Sequence, residues 1–80
     1  MRILLVEDDE KLNQSLAFQL EAEGFPTDTC RDGEEALYYI GEHIHDLILL
    51  DRMLPQISGT EVLQQMRKDG NQTPVILITA

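Results

Sequence analysis

The sequence predicts an α/β fold: a parallel sheet with helices on both of its faces. Three observations carry this. RILLV (residues 2–6), DLILLD (46–51) and PVILIT (74–79) are almost continuously apolar, the signature of strands covered on both sides. Between them the apolar spacing lengthens to that of a helix, and glycines mark where each helix gives way. A fourth run, FPTDTC (25–30), is more polar and contains Pro26, which cannot donate to a ladder, so this strand belongs at an edge.

The first helix is expected over 10–24, where Leu12, Leu16 and Leu20 recur every four residues, acids open the segment and Gly24 ends it. The second spans 32–43 with Leu37 and Ile40 facing inward. The third spans 59–70 behind Ser58 as cap, with Val62, Leu63 and Met66 toward the sheet and Gly70 as its stop. The order is therefore βαβαβαβ. Right-handed crossovers with the polar strand outermost give the strand order 2-1-3-4, and the chain reverses direction across the sheet between strands 1 and 3. Open α/β sheets bind ligands at such a reversal. No internal repeat and no Pro-, Gly- or Ser-rich linker interrupts the pattern, so one domain is expected.

Fifteen acids face six bases, for a net charge of −9, and the bases are scattered. Direct binding to nucleic acid or to an anionic membrane surface is disfavoured, and a cation or a basic partner is the natural complement. The single cysteine, Cys30, cannot form an internal disulfide and reads as a small buried apolar residue. No apolar run is long enough to span a bilayer, which makes the cytoplasm the expected compartment.

The strand ends carry the chemistry. Glu7 and Asp8 follow strand 1, Asp51 closes strand 3 and Thr79 closes strand 4, all on one edge of the sheet. Carboxylates packed together repel one another unless a cation neutralises them. A set of hard oxygen donors suits Mg²⁺, which keeps waters that phosphate oxygens can replace. Asp9 and Glu10 fit a simpler role, capping the first helix and complementing its dipole. His43 and His45 fall in the connection to strand 3, away from the acids. One of the adjacent Tyr38 and Tyr39 packs while the other faces solvent, and Arg52 is a solvent-facing loop residue.

The segments ILLVEDDEKL, LILLDRMLPQISGTEVL and PVILITA together resemble the receiver domain of two-component response regulators, with its three-layer, flavodoxin-like (CheY-like) parallel sheet. The resemblance covers all 80 residues. It implies that Glu7 and Asp8 hold Mg²⁺, Glu7 in part through water, that Asp51 is the phosphoacceptor and further ligand, and that the backbone carbonyl of Met53 completes the protein's metal ligands. Thr79 resembles the switch hydroxyl that turns toward the phosphoryl group, and Pro55 and Gly59 match the loop after the acceptor strand. The implied function is to take a phosphoryl group from a sensor histidine kinase onto Asp51, without turnover as an enzyme. By the same resemblance, the longer parent protein is expected to regulate transcription through a separate C-terminal DNA-binding domain.

The family pattern continues beyond this length through a fourth helix, a fifth strand ending in a lysine, and a fifth helix. Residues 1–80 are accordingly expected to be a partial receiver domain that binds Mg²⁺ but is impaired in phosphotransfer. It is also expected to self-associate through the strand-4 edge or the helix-1 face. A rival reading makes the chain a truncated or pseudo-receiver, a non-catalytic interaction or dimerisation module; that reading expects no Mg²⁺ binding. LILLD also resembles the acidic strand of a nucleotide-binding site, but neither a G-x-x-x-x-G-K-[ST] loop nor a G-x-G-x-x-G turn accompanies it. A haloacid-dehalogenase-type phosphatase would need a second acid where Met53 stands.

Overall fold

The structure, a computed structural model, describes residues 1–78. The expected alternation is present: β1 (Ile3–Val6), α1 (Glu10–Ala22), β2 (Thr27–Cys30), α2 (Gly33–Ile40), β3 (Leu47–Asp51), α3 (Gly59–Lys68) and β4 (Val75–Ile78). The four strands form one parallel sheet in the order β2-β1-β3-β4, as the sequence predicts. Val6 lies opposite both Cys30 and Leu50, and Asp51 lies opposite Ile78, so the strands surface together along one edge. Thr79, expected on that edge, lies outside the described residues.

The ends of the elements follow local chemistry. Asp9, Asp32 and Ser58 each cap a helix by accepting the N–H three residues on, from Leu12, Glu35 and Glu61 at 3.0, 2.8 and 3.2 Å. Each such cap contributes on the order of 1 kcal/mol. β2 starts at Thr27 rather than at residue 25, because Pro26 offers only its carbonyl, which accepts the Ile3 N–H at 2.9 Å. α1 stops at Ala22 with Gly24 beyond it at φ +92°, and α2 stops at Ile40, three residues short of the expected limit, ahead of His43 at φ 55°.

The two faces of the sheet are unequal. Leu4 and Val6 of β1, Ile48 and Leu50 of β3 and Cys30 of β2 join Ala36 and Ile40 of α2 and Val62 and Met66 of α3 in one buried core. Full burial of each large aliphatic side chain there is worth about 1.5–3 kcal/mol. The other face carries α1, whose leucines 12, 16 and 20 are only partly buried; its one fully buried residue is Asn13. β4 likewise departs from the expectation of a strand covered on both sides: Ile76 and Leu77 are 52% and 40% exposed. Strands near a sheet's centre gain cover from both neighbours' helices, whereas β4 has only β3 beside it among the described residues.

At the edge opposite the strand ends, an ionic cluster ties three strands together. Arg2 Nε and Nη2 donate to the two carboxylate oxygens of Asp28 at 2.9 and 3.1 Å, and His45 Nε2 lies 2.7 Å from Asp28 Oδ2. The Arg2 N–H donates to Asp46 Oδ2 at 2.7 Å. The His45 side chain is 2% exposed, so the residue set aside as part of a connection is in fact a buried partner of the edge strand. Its signal in the sequence, one histidine and one aspartate 17 positions apart, has no helical or strand period to expose it.

Arg2 above all, with His45 adding to it and burial opposing, holds the Asp28 carboxyl below its ordinary 3.8. A carboxyl lowered by folding contributes stability that is present above its unfolded value and is lost as pH falls through the folded one. Asp28→Asn is therefore expected to lower the urea midpoint at neutral pH, and the gap to the parent should narrow as the solution is acidified below pH 3.8. A gap that stays constant across that range in denaturation curves would contradict the assignment.

Candidate metal centre

β1 delivers Glu7 to the edge between β2 and β3. The Glu7 N–H donates to the Cys30 carbonyl at 3.1 Å, which extends the β1–β2 ladder by one residue and leaves Glu7 only 3% exposed. The chain then turns: Asp9 N–H donates back to Glu7 Oε2 at 3.0 Å, while the Asp9 side chain caps α1. Asp9 thus has the capping role expected of it, and Asp8, between the two, is exposed.

β3 delivers Asp51 to the same place. It is 6% exposed, and its Oδ1 accepts the Met53 N–H at 3.0 Å. The following turn is pinned by Arg52, whose N–H donates to the Ile78 carbonyl and whose carbonyl accepts the Gly59 N–H, both at 3.0 Å. A Cβ on Gly59 would collide with the Asp51 carbonyl oxygen, so only glycine lets α3 begin this close to the end of β3. Gly33 plays the matching part at the start of α2, where a Cβ would come within 2.8 Å of Ile57. Gln56, in the loop between Asp51 and α3, takes φ 68°. Arg52 and the Met53 side chain both face solvent.

One carboxylate oxygen from each of Glu7, Asp8 and Asp51 lies within 4.8 Å of the other two. The three residues singled out from sequence are therefore together, although Asp51 is 43 positions (51 − 8) from Asp8. Burial above all, and then the facing Asp51 and Asp8 carboxylates, push the Glu7 carboxyl up to about 7, against the favourable Asp9 N–H. Among the described residues every ion pair lies elsewhere: Arg2 and His45 on Asp28, Arg31 on Glu10. Arg31 Nη2 reaches only the Asp8 backbone carbonyl, at 3.5 Å. A cluster of hard oxygen donors with no basic side chain to balance it fits a divalent cation such as Mg²⁺.

Sequence reasoning missed one residue that shapes this pocket. Asn13, on the buried side of α1, donates from Nδ2 to the Glu7 carbonyl at 3.0 Å and to the Cys30 carbonyl at 3.1 Å. A polar residue at one apolar-facing position of an otherwise leucine-spaced helix was the available signal. His43 and His45 take no part in the acidic cluster, as expected.

The family model for the response regulator receiver domain matches residues 3–80. The chain is 49% identical over 78 residues to the transcriptional regulatory protein YkoG of Bacillus subtilis, covering 98% of this chain and 34% of that protein. It is 42% identical over 81 residues to the phosphate regulon transcriptional regulatory protein PhoB of Rhizobium meliloti, covering 99% of this chain and 36% of that one. The chain thus spans about a third of the length of these curated relatives. Among solved structures, it superposes on the receiver domain of Francisella response regulator 1452 with a TM-score of 0.95 at 35% identity, over 99% of this chain and 65% of that one. It superposes on the response regulator TrrA of Thermotoga maritima, in complex with Mg²⁺ and BeF, with a TM-score of 0.92 at 40% identity, over 99% and 69%.

The raised Glu7 carboxyl gives the pocket a pH signature. In the cation-free chain Glu7 retains its proton in the fold up to about pH 7, against an ordinary 4.5, so its contribution to stability is full below 4.5 and is lost as pH rises through 7. Glu7→Gln is expected to gain stability relative to the parent as pH rises from about 4.5 to about 8, and to bind Mg²⁺ at least about tenfold more weakly. Chemical denaturation across this range and a Mg²⁺ titration check both; parallel stability curves for the two proteins would remove the assignment.

Proposed function

The chain belongs to the response regulator receiver family, and we propose that its acidic pocket is a phosphoacceptor site in a two-component signalling system. Asp51 accepts the phosphoryl group of a phosphohistidine on a sensor histidine kinase. A carboxylate oxygen of Asp51 bonds to phosphorus, the P–N bond breaks, and its electron pair leaves with the imidazole, giving an acyl phosphate. The observation that carries this reading is the meeting of Glu7, Asp8 and Asp51 at the strand-end edge between β1 and β3.

Each residue has a part in that reading. Met53 N–H holds Asp51 Oδ1 and so orients the carboxylate, leaving Oδ2 as the oxygen that bonds to phosphorus. Glu7, Asp8, Asp51 and the Met53 carbonyl would hold Mg²⁺, which when bound would offset the negative charge of the acceptor and phosphoryl oxygens. Thr79 supplies the hydroxyl that responds to phosphorylation. The chain positions the groups for its own modification and is not a turnover enzyme. Residues 1–80 form part of a receiver domain within a cytoplasmic transcription regulator, and the net charge of −9 supports DNA contact by some other part of that protein. No helix among the described residues is long and apolar enough to cross a membrane.

Self-association of the 80-residue chain is part of the same proposal. It is supported by a groove of about 440 Å³ lined by Leu16, Phe18, Leu20 and Leu49, and by the exposure of Phe18 and Ile76, at 76% and 52%. Apolar surface of this kind, beside a strand with only one neighbour among the described residues, favours pairing with another chain.

Incubation of the longer parent protein with a small phosphodonor or a phosphorylated kinase should add one phosphoryl group, in a Mg²⁺-dependent way, Asp51→Asn should abolish it, and the 80-residue chain alone should be labelled more slowly. Equal labelling of Asp51→Asn, by intact-mass measurement, would overturn the phosphoacceptor reading. The isolated 80-residue chain should grow in mean mass with concentration in light scattering; a constant monomer mass at high concentration would remove the self-association proposal.

A further inference from the structure

The buried carboxamide of Asn13 sits behind the acidic cluster without being part of it. Asn13 is 5% exposed, on the first turns of α1, where an aliphatic side chain would otherwise complete the contact with the sheet. Its Nδ2 spans the ends of two strands, donating to the carbonyls of Glu7 and Cys30 at 3.0 and 3.1 Å. The Cys30 carbonyl also accepts the Glu7 N–H, so one carbonyl of β2 receives both the strand and the helix. The Glu7 carbonyl is the group most in need of such a donor. It lies just past the last paired residue of β1, Val6, where the chain leaves the sheet and the ladder to β3 has ended.

We propose that Asn13 is a positioning residue for the metal centre. It fixes the backbone of Glu7 at the point from which the Glu7 and Asp8 carboxylates project, and so sets the pocket's affinity for a divalent cation. This rests on the reading of the pocket as a Mg²⁺ site. The physical reason is the like charge of the cluster: three acids that repel one another relax apart unless the backbone beneath them is held. The Asn13 backbone N–H is already bonded to the Asp9 carbonyl at 2.8 Å within α1, so the side chain transmits the rigidity of the helix to the turn it follows. Groups that orient a ligand in this way commonly alter metal affinity by about 10- to 100-fold when removed.

The structure contains its own control. Asn71 is the other buried asparagine, 7% exposed, with Oδ1 accepting the Thr73 N–H at 2.9 Å and Nδ2 3.4 Å from the Ile40 carbonyl, in the segment that leads into β4 and away from the acids. In the full chain, Asn13→Leu, which is close in size but donates nothing, should weaken Mg²⁺ binding about tenfold by calorimetry. Asn71→Ala should lower the unfolding midpoint while leaving Mg²⁺ affinity unchanged. A second readout needs no metal: amide exchange at Glu7 and Asp9 should accelerate in Asn13→Leu relative to the amides of β3. Should that variant fail to fold, Asn13→Ser carries the same comparison.

Parent-like Mg²⁺ affinity in Asn13→Leu, or an equal loss in Asn71→Ala, would overturn the assignment. Absence of Mg²⁺ binding by the parent chain would instead overturn the reading of the pocket itself. Unchanged Glu7 and Asp9 exchange in the variant would separately show that Asn13 does not hold that turn.

Discussion

Three carboxylates that repel one another are held within 4.8 Å by the register of a parallel sheet. Nothing among the acids themselves favours the arrangement; burial and mutual repulsion push the Glu7 proton affinity upward. The force that keeps them together lies below, in the apolar strands β1 and β3. Ile3, Leu4, Leu5 and Val6 are all at most 2% exposed, and Ile48 and Leu50 pair beside Leu4 and Val6. Because parallel strands surface on the same edge, a residue one step past Val6 and one step past Leu50 must become neighbours. The acids are where they are because the hydrophobic effect ends there.

The two ends of the sheet treat charge in opposite ways. At the starts of the strands, Asp28 is satisfied by Arg2 and His45 within the chain, and its carboxyl is held below the usual range. At the ends, Glu7, Asp8 and Asp51 have among the described residues no basic side chain in ion-pair reach. A fold could have used the same arginine and histidine at either edge. Placing them away from the acids leaves, among the described residues, negative charge at the strand ends that no basic side chain in ion-pair reach balances, a setting that suits a cation.

Close packing braces the turn that follows Asp51. Gly59 and Gly33 bring the starts of α3 and α2 against the turn that follows Asp51, at distances a methyl group would forbid. Asn13 does a similar thing from the opposite face, by hydrogen bonds instead of contact. Each of the three helices therefore begins at the pocket edge and braces one part of it.

Much of this was determined by local sequence. The apolar runs specified β1, β3 and β4, Pro26 sent β2 to the edge, Asp9 and Ser58 announced their helices, and Glu7, Asp8 and Asp51 stood where strands of such character must end. These features depend on period and on neighbours a few residues away, which a linear reading can see. Tertiary structure alone decided the rest: that the leucines of α1 stay partly exposed while Asn13 is buried, that β4 is covered on less of its surface than its composition implies, that α2 ends at Ile40, and that His45 reaches back to Asp28. Those outcomes are set by which helix covers which face and which strands lie side by side, and hydrogen bonds between residues 17 apart leave no period along the chain.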